Sequence, residues 1–148
     1  MQTPTAREGM STMCDEKTQA LADRLEILDL IARWAYTTDT KDPDGFAEIY
    51  AEDGVLDTVS GVTESREAIR KLVTESMQKR TIQTRHFQTG TVFLELTSTT
   101  ARTSTSLLFT KRELGAVAVS VGTGRYLDEW RRTGSGWSMV RRTTTVDP

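Results

Sequence analysis

"QTRHFQTGTVFLEL", residues 83–96, is where the chain changes character. Before it, apolar residues recur at steps of three and four. From here on they alternate, and Thr, Val and aromatic side chains, which suit a pleated surface, take over. The period-two pattern predicts four strands, at about 84–96, 100–111, 115–131 and 136–146, joined by the turn stretches "TSTT", "KRELGA" and "RTGSG". Upstream the period is helical. In "TQALADRLEILDLIARWAYTTD" (18–39), Leu21, Leu25, Leu28, Ala32 and Ala35 form one stripe expected to be buried, widened by Leu30, Ile31 and Trp34. A short second helix starts in "KDPDGFAEIYAEDG" (41–54), where Asp42 can cap, Pro43 suits the first turn and Gly54 is a natural stop. "VLDTV" (55–59) reads as a short strand. Ser65 can cap a third helix, "REAIRKLVTESMQ" (66–78), which is expected to bury Ile69, Leu72 and Val73. Helices first and strands afterwards make an α+β pattern: three N-terminal helices packed on a curved, mostly antiparallel sheet. Such a sheet does not close on itself, so sheet and helices together form a cone-shaped α+β barrel with an expected apolar interior.

The 148 residues are about one domain's worth and enough for a real core. The net charge of -2 arises from interspersed signs, so no basic field points to a nucleic-acid or acidic-membrane partner. The apolar stretch "GAVAVSVG" (115–122) is far too short to span a bilayer. "MQTPTAREGMSTMCDEKTQ" (1–19) has no hydrophobic segment of a secretory signal, and the expected location is the cytoplasm. Residues 1–17 are expected to be a disordered tail, with Met10 and Met13 as alternative starts, and 18–148 a single domain. Cys14 is alone and lies in that tail, which excludes a disulfide framework and a Cys-based metal site.

His86 is the sole histidine, so no zinc constellation of the Cys–His or HExxH kind can be built, and no metal is expected. "GTGRYL" (122–127) is followed by strand-like residues and not by a helix, so a nucleotide cofactor is not expected either. A Ser–His–Asp triad lacks its Gly-x-Ser-x-Gly elbow. Acid–base chemistry by His86 with a carboxylate remains, since histidine takes and returns a proton near neutrality and a neighbouring carboxylate fixes its tautomer. The candidate carboxylates are Asp39, Asp42, Asp44, Asp53, Asp57 and Asp128, along with several glutamates. Asp42 and Asp44 read as cap and first-turn residues, and Asp53 precedes a turn glycine. Asp39 differs: it ends the first helix one turn beyond Ala35, on the side that faces the core or the mouth of the cone. Read singly, His86 is equally a structural histidine and Asp39 a solvated helix end; spacing alone does not join them. Leu107 and Phe109 share a strand face, and Trp34 precedes Asp39 by a little over one turn, so all three suit a substrate wall or simply the core. Tyr36 and Tyr50 are weaker candidates, and Tyr50 reads as helix packing.

"LEILDLIARWAYTTDTKDPDGFAEIYAEDGVLD" (25–57), "RHFQTGTVFLEL" (85–96) and "GRYLDEWRRTGSGWSMVRR" (124–142) together resemble the SnoaL-like branch of the nuclear-transport-factor-2-like superfamily, over about residues 20–146. Within that branch lie scytalone dehydratase, bile-acid 7α-dehydratase and hexachlorocyclohexane dehydrochlorinase, cofactor-free lyases that use an Asp–His dyad. Asp39 and His86 fall on the dyad positions. The resemblance implies a cofactor-independent lyase or isomerase acting on a small hydrophobic substrate, with Tyr126 and Arg142 at pocket positions where either could donate a hydrogen bond. The chain departs from the dehydratases at "STSLLF" (104–109), which carries neither a second histidine nor a strand acid. That implies a different substrate and a more apolar pocket. The alternatives are a SnoaL-like polyketide cyclase, in which Asp39 does most of the proton work, and a non-catalytic ligand-binding or assembly subunit. The resemblance also implies a homo-oligomer through the sheet face, a trimer ahead of a dimer.

Overall fold

The alternation that begins near residue 82 becomes four long strands, and the helical region ahead of it becomes three helices and a two-stranded flap. The computed structural model describes residues 6–117 and 119–148, with side chains from residue 15 onward. In chain order the elements are α1 (Ala6–Thr40), α2 (Pro43–Glu48), β1 (Tyr50–Thr58), β2 (Gly61–Glu64), α3 (Arg66–Lys79), β3 (Ile82–Leu96), β4 (Thr100–Glu113), β5 (Ser120–Thr133) and β6 (Gly136–Val146). The strands form one open, curved sheet in the order β2-β1-β6-β5-β4-β3. Every neighbouring pair is antiparallel except β1 with β6, which is parallel. Among the described residues no helix is long and apolar enough to cross a membrane.

The caps read from the sequence are in place. Asp42 accepts a hydrogen bond from Gly45 N at 2.9 Å, Pro43 opens α2, and Ser65 accepts from Ala68 N at 3.2 Å at the start of α3. Several boundaries differ. A helix already runs from Ala6 where a tail was expected; no proline interrupts residues 6–40, and extending a helix from a packed segment costs little. Residues 1–5 lie outside the described residues. Gly54 does not stop α2 but sits within β1, where the pairing with β6 slips between Tyr50 and Val55. Strand β5 starts at Ser120 and not at 115, because Gly115 turns the chain at φ 83°. The short strand β2 was not expected.

The larger correction concerns which face of α1 is buried. Most of the stripe expected to pack is exposed, with Leu21 at 63% and Leu25 at 68%; of the residues expected to widen it, Ile31 and Trp34 are buried, in a row with Asp23, Ile27 and Thr37. Polar anchoring selects that face. Asp23 pairs with Arg132 of β5, and Glu26 accepts the backbone N–H of Trp137 on β6 at 2.7 Å, so the helix is turned toward the β5–β6 hairpin. In α3 the buried row is Ile69, Val73 and Met77, one residue per turn, which leaves Leu72 outside. The core gathers these helix faces with Phe46, Ile49, Tyr50, Leu56, Ala101, Leu107, Tyr126, Trp130, Trp137 and Met139. The cone interior is not purely apolar: Thr103, Thr105, Asp128 and Arg142 are buried in it.

Candidate active site

Asp39 stands in the last turn of α1 and His86 on the concave face of β3, forty-seven positions further along the chain. The fold brings them together. Asp39 Oδ1 lies 2.7 Å from His86 Nδ1, and Asp39 Oδ2 accepts the His86 backbone N–H at 2.9 Å. Thr84, one pleat earlier on the same face, donates its hydroxyl to Asp39 Oδ1 at 3.1 Å. Burial alone would raise the Asp39 carboxyl. The hydrogen bonds from the His86 ring and backbone, the ring's charge and the Thr84 hydroxyl outweigh it, and the carboxyl is held below its ordinary value. An ionised carboxylate only accepts, so Nδ1 must carry the proton, and in the neutral ring the Nε2 lone pair is free. Among the described residues no group hydrogen-bonds Nε2.

The walls are aromatic. The Trp34 ring meets His86 edge-on at 5.6 Å between centroids, and Phe109, the cross-strand partner of His86 on β4, stacks on it at 6.3 Å. Trp34 also touches Tyr126 at 5.2 Å and donates its indole N–H to the Tyr50 hydroxyl at 3.0 Å. Tyr50 is therefore a buried strand residue that braces Trp34, and not helix packing. Leu107 is buried one pleat from Phe109 as the period predicts, whereas Leu108 points to the outer face. Tyr36 is largely exposed and lies away from the pair, in a cleft between α1 and α2.

Arg142 is buried, but it comes with a partner that was only one carboxylate among many in the sequence. Its Nε and Nη2 donate to Asp128 Oδ1 and Oδ2 at 2.7 and 2.8 Å, with both side chains 0% exposed. Its guanidinium lies 4.0 Å from the Tyr126 ring centre and 4.4 Å from that of Trp34. Burial opposes its charge, but Asp128 more than compensates and raises the group further. Nη1 is left buried without a hydrogen-bond partner. Tyr50 and Tyr126 are both pushed well above the ordinary tyrosine value, by burial first and against the pull of Arg142, so both hydroxyls stay protonated. His86, Asp39, Trp34, Tyr126, Arg142 and Phe109 thus form one connected cluster, and Leu107 adjoins it.

The residues that sequence reasoning missed are Thr84, Gln88 and Arg80, and Asp128 is among the candidate carboxylates without being singled out. Gln88 sits one pleat beyond His86, bonds the Ile31 carbonyl through Nε2 at 2.9 Å, and keeps a buried, unpaired Oε1. Period two from His86 marks both Thr84 and Gln88 as inward-facing, and period two from Tyr126 does the same for Asp128. A cleft of about 310 Å³ reaches Asp39 from outside between Lys41, Arg80, Thr84, Arg85 and Leu114. Among the described residues no three His, Cys, Asp or Glu side chains cluster as a metal site would require.

An open curved sheet wrapped on three helices, with its polar pair on the concave face, defines the class. Residues 19–143 match the model of the SnoaL-like domain, and the chain belongs to that family. Solved structures share the fold. A protein of unknown function from Mycobacterium tuberculosis is 24% identical, with 90% of this chain and 75% of that chain covered and a TM-score of 0.78. A scytalone dehydratase-like protein from Novosphingobium aromaticivorans is 19% identical, with 86% of each chain covered and a TM-score of 0.77. A hexachlorocyclohexane dehydrochlorinase from Novosphingobium barchaimii is 17% identical, covering 86% of this chain and 88% of that one, with a TM-score of 0.76. At these identities the likeness is one of fold. No curated protein matches the sequence.

Proposed function

We propose that the chain is a cofactor-independent lyase or isomerase that uses His86 as its base and Asp39 as the base's orienting partner. The observation that carries this reading is the double contact between the two: ring Nδ1 at 2.7 Å and backbone N at 2.9 Å from the two oxygens of one carboxylate. The contact fixes the tautomer that leaves Nε2 free to take a proton from carbon, and the Asp39 charge stabilises the imidazolium that forms. In an elimination, the C–H electron pair becomes the new double bond and the leaving group departs with its own pair. The proton rests on His86 and is then released. The balance needs no electron carrier.

The Tyr126 hydroxyl and Arg142 Nη1 are the donors placed to meet charge that develops on a substrate oxygen or leaving group. Each is buried and protonated, and neither donates to a described residue. With Trp34, Leu107 and Phe109 around the pair, the substrate is small and hydrophobic. The dehydratase-like and dehydrochlorinase structures among those that share the fold support an elimination.

The test is a panel of cyclic hydroxyketones and halogenated alicyclic compounds incubated in D2O. Loss of water or halide, or deuterium exchange at the acidic carbon, is expected with the natural chain and should vanish in a folded His86→Ala variant. Turnover that survives this substitution overturns the reading in favour of a cyclase driven by Asp39.

A further inference from the structure

Arg80 follows α3 as its C-cap and carries a half-buried guanidinium beside the proposed pair. Its Nη2 donates to the Thr38 carbonyl at 2.5 Å, and its Nη1 donates to Thr84 Oγ1 at 2.9 Å. Thr84 Oγ1 donates in turn to Asp39 Oδ1, the oxygen that faces the His86 ring. Lys41 Nζ donates to the Arg80 carbonyl at 2.7 Å and fixes the backbone there. Every hydrogen bond from the Arg80 guanidinium to the described residues therefore ends on a neutral oxygen, and its Nε is buried with no partner. A guanidinium so placed carries a desolvation cost that those oxygens only partly offset. Burial lowers the Arg80 group, and the charge that works against this is the Asp39 carboxylate.

The geometry points to Arg80 and Thr84 as positioning residues for the Asp39–His86 pair, with Arg80 holding the Thr84 hydroxyl so that its proton can go only to the carboxylate. The hydrogen-bond inventory requires this. A guanidinium never accepts, so Thr84 Oγ1 must accept from it, and the hydroxyl's single hydrogen is left for Asp39. Asp39 Oδ1 is then held between two donors, Thr84 and the ring, while Oδ2 is held by the His86 N–H. Every donor in the chain Arg80–Thr84–Asp39–His86 favours an ionised Asp39 and therefore the Nδ1–H form of the ring. The other charged or titratable groups that face Asp39 are Lys41 and Arg85, which line the same cleft, and Tyr126 from β5. Neither Lys41 nor Arg85 bonds the carboxylate.

This inference rests on the reading of Asp39 and His86 as the reacting pair, but its test needs no substrate. The Asp39 carboxyl is followed by carbon-13 NMR across the acid range in the full chain, with Asp39→Asn assigning the signal. In Arg80→Met the Asp39 titration should move upward, and in Arg80→Lys, which restores a cation without the fork, it should return part of the way. Thr84→Val should also move it upward while leaving the Arg80 bond to Thr38 in place. Unchanged Asp39 titration in folded Arg80→Met overturns the proposal. If that variant does not fold, an unchanged titration in Thr84→Val overturns it alone. Once a substrate is known, Arg80→Met should lower kcat on the order of tenfold with KM little changed, the usual scale for losing an outer orienting partner. Failure of the catalytic reading would instead show as turnover retained in His86→Ala, a separate result.

Discussion

Asp39 holds His86 at two points, with one oxygen on the ring and the other on the backbone N–H of the same residue. Asparagine keeps the shape but cannot keep both contacts. With its amide oxygen toward the ring, its NH2 meets the His86 N–H, donor against donor. With the amide flipped, it donates to Nδ1 and moves the ring proton to Nε2, the position that must be free. Asp39→Asn is therefore expected to lower kcat by roughly 10²–10⁴-fold while the chain stays folded. Turnover measured beside circular dichroism checks this, and a loss of less than about threefold, under 1 kcal/mol of barrier, would separate Asp39 from the chemistry.

The same contacts give a pH dependence whose sign is fixed. The folded carboxyl of Asp39 lies below its ordinary value of 3.8, because its hydrogen bonds and the ring outweigh burial. A depressed folded value means that the stabilisation is fully present above the unfolded value and is lost as pH falls through the folded one. The natural chain should thus lose stability relative to Asp39→Asn on acidification below about pH 4. Urea titrations of both chains at a series of pH values measure the gap. A gap that stays constant into acid contradicts the assigned hydrogen bonds.

The Asp39–His86 pair is legible only through the family resemblance, which puts both residues on dyad positions; spacing alone does not join them. Period two puts Leu107 and Phe109 on one face of their strand, and β4 bears that out; that His86 on β3 pairs across to Phe109 is what the register adds. The helix was harder. α1 carries two apolar rows, and the row with more leucines is the exposed one, because Asp23 and Glu26 tie the other toward the β5–β6 hairpin. Partners so distant in sequence leave no mark in local periodicity. Arg142 shows the same limit. Counting back from the hairpin turn pairs Asp128 with Arg141, but the register slips between Glu129 and Trp130, and Arg142 takes the inward place instead. A bulge of one residue decides which arginine is buried.

That buried pair supports a double-mutant cycle. Asp128 and Arg142 are both 0% exposed and joined by two hydrogen bonds, so removing either leaves a bare charge. Asp128→Leu alone or Arg142→Met alone should each cost about 3–5 kcal/mol, whereas the double variant should recover most of that loss. Denaturant midpoints supply the numbers, and single and double losses that simply add would mean the pair is not coupled.

The convex face of the sheet is expected to join copies of the chain. Phe87 and Leu108 are directly paired across β3 and β4, and Val92 and Leu127 flank Ser104 two pleats away, all with their apolar surface outward. A patch of this extent is more than scattered single residues. We propose a homo-oligomer, a trimer ahead of a dimer, and Leu108→Arg should shift it to monomer in sedimentation velocity. A natural chain that sediments as a monomer at micromolar concentration ends the idea.

Gly122 offers a way to move one wall of the site without touching the pair. It is the cross-strand partner of Phe109, and a Cβ added there would overlap the far edge of the phenyl ring. That edge belongs to a side chain that is only partly buried, packed against the core on one side and lying near His86 and the Lys111 ammonium on the other, so the ring can give by tilting outward. Gly122→Ala should therefore cost less than about 1 kcal/mol of stability, well below the 1–3 kcal/mol of overpacking in a closed core. The ring must then tilt against the His86 imidazole. Its stacking on that ring changes, and with it the space in front of Nε2. We expect a shifted His86 ring-proton resonance, a several-fold fall in kcat/KM, and a strongly non-additive result when Gly122→Ala is made in a Phe109→Ala background, where the obstructing ring is gone and the added methyl should have little further effect. A loss of about 3 kcal/mol or more in Gly122→Ala alone would show that the wall is rigid and that Phe109 belongs to the core rather than to the pocket.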